Sequence, residues 1–259
     1  MNASKIKKLA VGASTLVVAL SAAISAVAET KLWSTVESRI ILGFNVDDAA
    51  VQATMPEGWK AITLPKGPLA GVDLLLVFMD RHLILDPEGK PLEPSSNPVA
   101  ALMSYGVSKD VEGVRAFITR IYEIPPAVNP YGNSVEAEIT RHGQKTVGAD
   151  NSVARNEAWS LNSETGGMID FKITYDSLGL NWTEGGVSRP YSSAMPEYSH
   201  IYRYDQTAEL VMNTVSGYAL PNEWEFSASG AEFADLFDGS EALVAILNIP
   251  VYVRDVFEP

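Results

Sequence analysis

Cysteine is absent from all 259 residues, and histidine occurs only three times. The first absence excludes disulfides, thiolate metal ligands, a cysteine nucleophile and a lipid-bearing cysteine behind a leader. Together the two leave few side chains from which a transition-metal site can be built, so no metal and no cofactor is expected. Positive charge is also scarce, with 19 Lys and Arg against 32 Asp and Glu, a net charge of −13. Binding to phosphate backbones needs clustered cations, so nucleic acid is not an expected partner. The chain has no Gly-rich phosphate loop, no His-Glu-x-x-His pair and no Gly-x-Ser-x-Gly elbow. Beyond residue 28 no apolar run approaches the roughly 20 residues that span a bilayer.

The composition that remains is that of an ordinary folded protein, 46% hydrophobic and 20% charged. Residues 1–28 read apart from the rest. Lys5, Lys7 and Lys8 form a basic start, residues 9–24 carry no charge, and Ala26-Val27-Ala28 supplies the small residues of a cleavage site. A signal peptide over 1–28 is therefore expected, with one domain over 29–259, periplasmic or secreted and without stable membrane insertion after cleavage. Residues 1–28 contain no Asp or Glu, so losing their three lysines leaves 16 basic against 32 acidic residues, a balance of −16. The acidic surface is most simply a solubility feature; homo-oligomerisation is left open.

Along the chain, Ile40, Ile41, Leu42 and Phe44 form a β-prone run, Asp47 and Asp48 supply the cap and first-turn acid of a short helix, and Pro56-Glu57-Gly58 makes a turn. Residues 71–80 are a nearly continuous apolar run, read as a buried strand, and residues 86–98 form a Pro-rich surface loop. Residues 99–107 give another strand. Val111, Val114, Phe117, Ile118 and Ile121 recur at three- and four-residue spacing, which predicts a helix docked on a larger body and ended by Pro125. Val135, Ala137 and Ile139 alternate with Glu136, Glu138 and Thr140, and a hairpin turns at 164–167. His142 is expected at a turn, structural or solvated rather than a ligand. Tyr198, His200, Tyr202 and Tyr204 share one face of a strand; Phe233, Leu236 and Phe237 predict a late short helix, followed by a closing strand.

The run Arg120-Ile121-Tyr122-Glu123-Ile124 into Pro125-Pro126-Ala127-Val128 resembles the acetoacetate decarboxylase family, in which a Gly-Arg-Glu stretch runs into a proline followed by a lysine pair. The strand, acidic cap, short helix and Pro-Glu turn of residues 38–59, and the alternating strand ending in Arg-x-Gly at 141–143, are similar to the same family. The resemblance implies an α+β fold: a mainly antiparallel, strongly bent β-sheet or cone-like barrel enclosing a cavity, with a few flanking helices. It also implies decarboxylation of a β-keto acid through a Schiff base on a lysine of depressed pKa. Ala127 and Val128 stand at the lysine pair, and residues 97–107 lack the glutamate that works beside it, so that chemistry is not expected. Lys172 is the one lysine deep in a late strand; a solvated ion pair with Asp170 or Glu157 suits it better than a Schiff base.

The family's arginine at the head of the first strand meets the substrate carboxylate. Arg39 stands about two positions from that place, which keeps the strand face. The residues expected around a ligand are Arg39, Arg120, Glu123, His200 and Tyr202, with no catalytic residue assigned. The leading reading is an exported protein that binds a short carboxylic acid or apolar metabolite in a central cavity. An enzyme of the same fold using a non-lysine mechanism (decarboxylase, hydratase or lyase) is one alternative, and a structural or interaction protein of the cell envelope is another.

Overall fold

A computed structural model describes residues 29–124, 129–219 and 221–259. The signal-peptide reading at 1–28, and Ala127 and Val128 where lysines would stand, lie outside the described residues. Among the described residues fourteen strands form one sheet. In order along the sheet path run β12 (Tyr218–Ala219), β11 (Ile201–Asn213), β14 (Ala242–Glu258), β1 (Thr30–Asn45), β3 (Leu74–Leu85), β4 (Asn97–Ser108), β5 (Arg115–Glu123), β6 (Ser134–Val147), β7 (Val153–Ser163), β8 (Met168–Ser177) and β13 (Pro221–Ser229). Three short strands branch from this path: β2 (Trp59–Ala61) on β4, β9 (Asn181–Ser188) on β11, and β10 (Tyr191–Ser192) on β5. All pairings are antiparallel except β5 with β6 and β10 with β5.

Among the described residues the one helix is α1 (Asp48–Ala53), whose cap is as expected: Asp47 Oδ1 accepts from the Ala49 and Ala50 amides at 2.9 and 3.1 Å. The late helix is a run of turns, although Phe233 and Phe237 are buried as expected.

The predicted central helix is strand β5, and the cause of the misreading is local. Leu102 faces Arg120 while Met103 faces Ile118, so Thr119 is an extra residue, a β-bulge. A bulge resets the two-residue alternation, leaving Ile118 and Ile121 three apart yet on the same wall, which imitates a helical stripe. Strand β6 also runs on through His142, which is exposed in mid-strand rather than at a turn.

Bulges bend the whole sheet. Register shifts occur at three places between β1 and β14 and at two between β11 and β14. Strands as long as β1 and β14, at 16 and 17 residues, must coil, and the half formed by β6, β7, β8 and β13 folds back over the other. Alternate residues Ile40, Leu42, Phe44, Leu74, Leu76 and Phe78 thereby pack on Trp159, Leu161, Ile169 and Phe171 in one core, with Phe78 stacked on Trp159 at 5.1 Å. The intervening residues of β1, β3, β4 and β5 point the other way. They line a cavity.

Candidate functional site

The cavity has a volume of about 670 Å³. Its wall is a grid set by strand register. Leu75, Met103 and Ile118 form one row across β3, β4 and β5. Leu247, Ile41, Val77, Ala101 and Ile121 form the next across five strands. Ile249, Arg39, Met79, Val99 and Glu123 follow, and then Tyr252, Glu37, Arg81 and Asn97. Because each row lies two or three residues from the last along its strands, all four lie on one face. The wall therefore passes from purely apolar to charged along the strand direction.

At the charged end Glu37, fully buried, is the hub. Thr35 Oγ1 donates to its Oε1 at 2.6 Å, Arg39 Nε donates to its Oε2 at 3.2 Å, and Arg254 Nη2 lies 3.2 Å from Oε1. Burial works against the Glu37 charge, but the attraction of Arg254 and Arg39 with the Thr35 hydrogen bond outweighs it and holds the carboxyl down to about 2. Burial likewise opposes the Arg254 charge, and Glu37 reverses the balance, raising its pKa. Arg39 lies over the Tyr252 ring at 3.6 Å and Arg254 over the Tyr202 ring at 4.3 Å, so the cations are held against aromatic faces. Arg39 Nη2 lies 3.1 Å from Glu37 Oε1 but makes no hydrogen bond among the described residues.

The second pair is Arg81 with Glu123. Arg81 Nε donates to Asn97 Oδ1 at 2.7 Å, and its Nη2 donates to Glu123 Oε2 at 3.0 Å. Burial raises the Glu123 carboxyl, with Arg81 pulling the other way, and burial lowers the Arg81 guanidinium. The cavity is also lined by Trp33, Tyr131, Tyr202, Tyr204 and Arg189. Tyr131 and Tyr202 join through their hydroxyls at 2.8 Å.

Of the residues expected from sequence, Arg39, Glu123 and Tyr202 line the cavity. Arg120 and His200 are not among its lining residues. Arg120 projects from the other face of β5 towards Glu232, at 3.9 Å, the same carboxylate that accepts from the Tyr122 hydroxyl. His200 is fully buried behind the wall, edge-on to Trp33 and Tyr131, with Nε2 2.7 Å from the Tyr198 hydroxyl. Burial, and secondarily Arg254, lower its pKa to about 4, so it is neutral at ordinary pH. No lysine lines the cavity among the described residues. Lys172 is two-thirds exposed on β8 and pairs across the strands with Glu225 at 3.6 Å, rather than with Asp170 or Glu157.

Sequence reading passed over Glu37, Arg81, Tyr131, Tyr252 and Arg254. A charged residue inside an apolar strand was the available signal for Arg81 and Arg254. At β14 it was masked by inverted alternation: Val251 and Val253 are 42% and 43% exposed while Arg254 is 7% exposed.

No protein-family model and no curated protein matches the chain. Solved structures do. The enduracididine biosynthesis enzyme MppR with HEPES buffer bound superposes with a TM-score of 0.54 at 12% identity, covering 91% of this chain and 89% of that one. The same enzyme complexed with pyruvate gives 0.53 at 12% identity, covering 91% of each chain. An acetoacetate decarboxylase-like enzyme from Sphingomonas wittichii RW1 gives 0.51 at 12% identity, covering 89% of this chain and 92% of the other. The bent, strand-rich sheet of this chain is thus the acetoacetate decarboxylase-like fold.

Proposed function

We propose that this chain is an exported binding protein whose cavity takes a carboxylate without Schiff-base chemistry. One observation carries the reading: Arg39 and Arg81 stand in adjoining rows of neighbouring strands on the wall of an apolar cavity, with no lysine among its described lining residues. A desolvated guanidinium offers parallel donors that match a carboxylate, and Arg39 Nη2 is without a hydrogen-bond partner among the described residues. The sign of the local charge supports an anion in a chain of net charge −13. MppR, which has this fold, has been solved complexed with pyruvate, itself a carboxylate. Export is supported by residues 1–28, with their basic start, uncharged stretch and Ala26-Val27-Ala28 cleavage pattern.

The test is calorimetric titration of the parent and Arg39→Lys with a panel of carboxylates. Lysine keeps the charge beside Glu37 but loses the fork, so affinity should fall at least about tenfold, a loss of about 1.4 kcal/mol. Equal affinities, or no binding by any acid, would sink the proposal. Borohydride reduction in the presence of acetoacetate should leave the protein mass unchanged; a covalent adduct would restore the lysine mechanism.

A second reading, a lyase or hydratase, is favoured by Glu123, a carboxyl raised by burial on the cavity wall. Turnover of a hydroxy or keto acid that disappears in Glu123→Gln would establish it in place of binding alone.

A further inference from the structure

We infer that the ligand is an extended amphipathic monocarboxylate, its acid group at Arg39 and Arg81 and its apolar body lying along β3 and β4 towards Leu75 and Met103. This rests on the binding reading above and adds the class of ligand. The cavity, at about 670 Å³, is of the size that holds drug-sized molecules, roughly 300–1,000 Å³, and a three-carbon acid leaves most of it unfilled. Arg81 and Leu75 both line it and are six residues apart on one strand, roughly 20 Å at the rise of a β-strand.

The chemistry of the wall changes once along that length. Beyond the row of Arg39 and Glu123, the two rows running to Leu75 and Met103 contain no polar side chain. Ile41, Met79, Met103 and Ile121 lie on inner strands of the sheet yet stay only half-buried, because the space they face is open. Apolar surface held in that condition is stabilised by an apolar occupant at roughly 25 cal/mol per Å². Ala101, the smallest side chain of its row, keeps the passage open midway, and Met79 and Met103 supply walls that adapt to differing tails.

The charge balance sets the head group. Arg39, Arg81 and Arg254 meet Glu37 and Glu123, a net excess of one positive charge at this end. The remaining charged lining residues, Arg189 and Glu93, are one of each sign and leave that excess unchanged. One uncompensated guanidinium fits a monoanion; a second carboxylate on the ligand would be buried unpaired.

The proposal is tested by titrating the full chain with straight-chain saturated acids from acetate to myristate, below their aggregation limits, and with the matching primary alcohols. Affinity should rise about fourfold per methylene until the cavity is filled. Alcohols should bind at least about tenfold more weakly than acids of equal length, the removal of an ion-paired head group. Ala101→Phe, with Ile41→Phe as a second obstruction should the first not fold, should flatten the dependence on chain length. Short acids that bind with no gain on lengthening would overturn the extended ligand and leave the binding reading standing. Failure of every acid would remove both. Alcohols equal to acids would overturn the placement of the head group, and an unchanged slope in a folded obstruction variant would overturn the path of the tail.

Discussion

A carboxylate with no access to water survives in this fold because two arginines reach it, and Glu37 shows what that arrangement costs and gives. Removing one member of a buried ion-paired set leaves the others desolvated and unmatched, which costs about 3–5 kcal/mol. Glu37→Gln should therefore lower the free energy of unfolding by about that amount in urea titration, and a loss below about 1 kcal/mol would show that water reaches the cluster. Its pKa is depressed from 4.5 to about 2, so its contribution is present above pH 4.5 and is lost as pH falls towards 2.

Asp73 has the opposite sign. It is buried just before β3, accepting from the Asn45 side chain at 2.7 Å and the Val46 amide at 3.1 Å, and burial raises its pKa from 3.8 to about 6 against the pull of the Val46 bond. A raised pKa favours the protonated folded form, so the contribution is present below pH 3.8 and is lost as pH rises through 6. Between those values the stability of Asp73→Asn relative to the parent should climb by an amount on the order of 2 kcal/mol. A constant difference across that window would show that Asp73 stays ionised.

At the scale of elements, β9 presents a second dependence. This branch strand pairs with β11, and Gly186 lies opposite Tyr204, whose ring lines the cavity and stacks on Tyr252 at 4.9 Å. A Cβ on Gly186 would come within 2.5 Å of the Tyr204 ring, closer than real contacts allow. Gly186→Ala must displace that ring or the strand, and overpacking of this kind costs about 1–3 kcal/mol. The check is paired: thermal unfolding should register the cost, and Tyr204 displaced into the cavity should weaken carboxylate binding. Unaltered stability would mean that β9 moves freely on β11.

Elements also show where the chain was legible before folding. Val135, Ala137 and Ile139 are buried on β6 as their alternation requires, and Ile169, Phe171, Ile173 and Tyr175 likewise on β8. Regular strands obey a period of two, and period is readable. β5 was unreadable because Thr119 breaks that period inside one short strand. β14 was misleading in its faces because alternation names two faces without saying which meets water.

Taken whole, the molecule places an excess of positive charge inside an acidic body, at one end of an apolar space. A ligand that binds only the folded state stabilises it by mass action, about 2.7 kcal/mol at a hundredfold excess over Kd. For a chain of this size that should raise Tm by about 5–10 °C. Scanning calorimetry across a concentration series of a binding acid checks this, and a Tm independent of concentration would contradict a site inside the folded sheet.

The strand-rich pattern, the capped α1, the resemblance to the decarboxylase fold and the candidacy of Arg39, Glu123 and Tyr202 are all legible in the unfolded chain, because each rests on period, on cap chemistry or on neighbours in the chain. Folding alone puts Arg39 and Glu123, 84 positions apart in the chain, into one row of the sheet, with Met79 and Val99 between them. Only it turned Arg120 towards Glu232 and hid His200 behind Tyr131, while bringing Arg81 and Arg254 to the wall. Register across four or five strands fixes those neighbours, and register is a property of pairing between segments far apart in sequence, which no local pattern encodes.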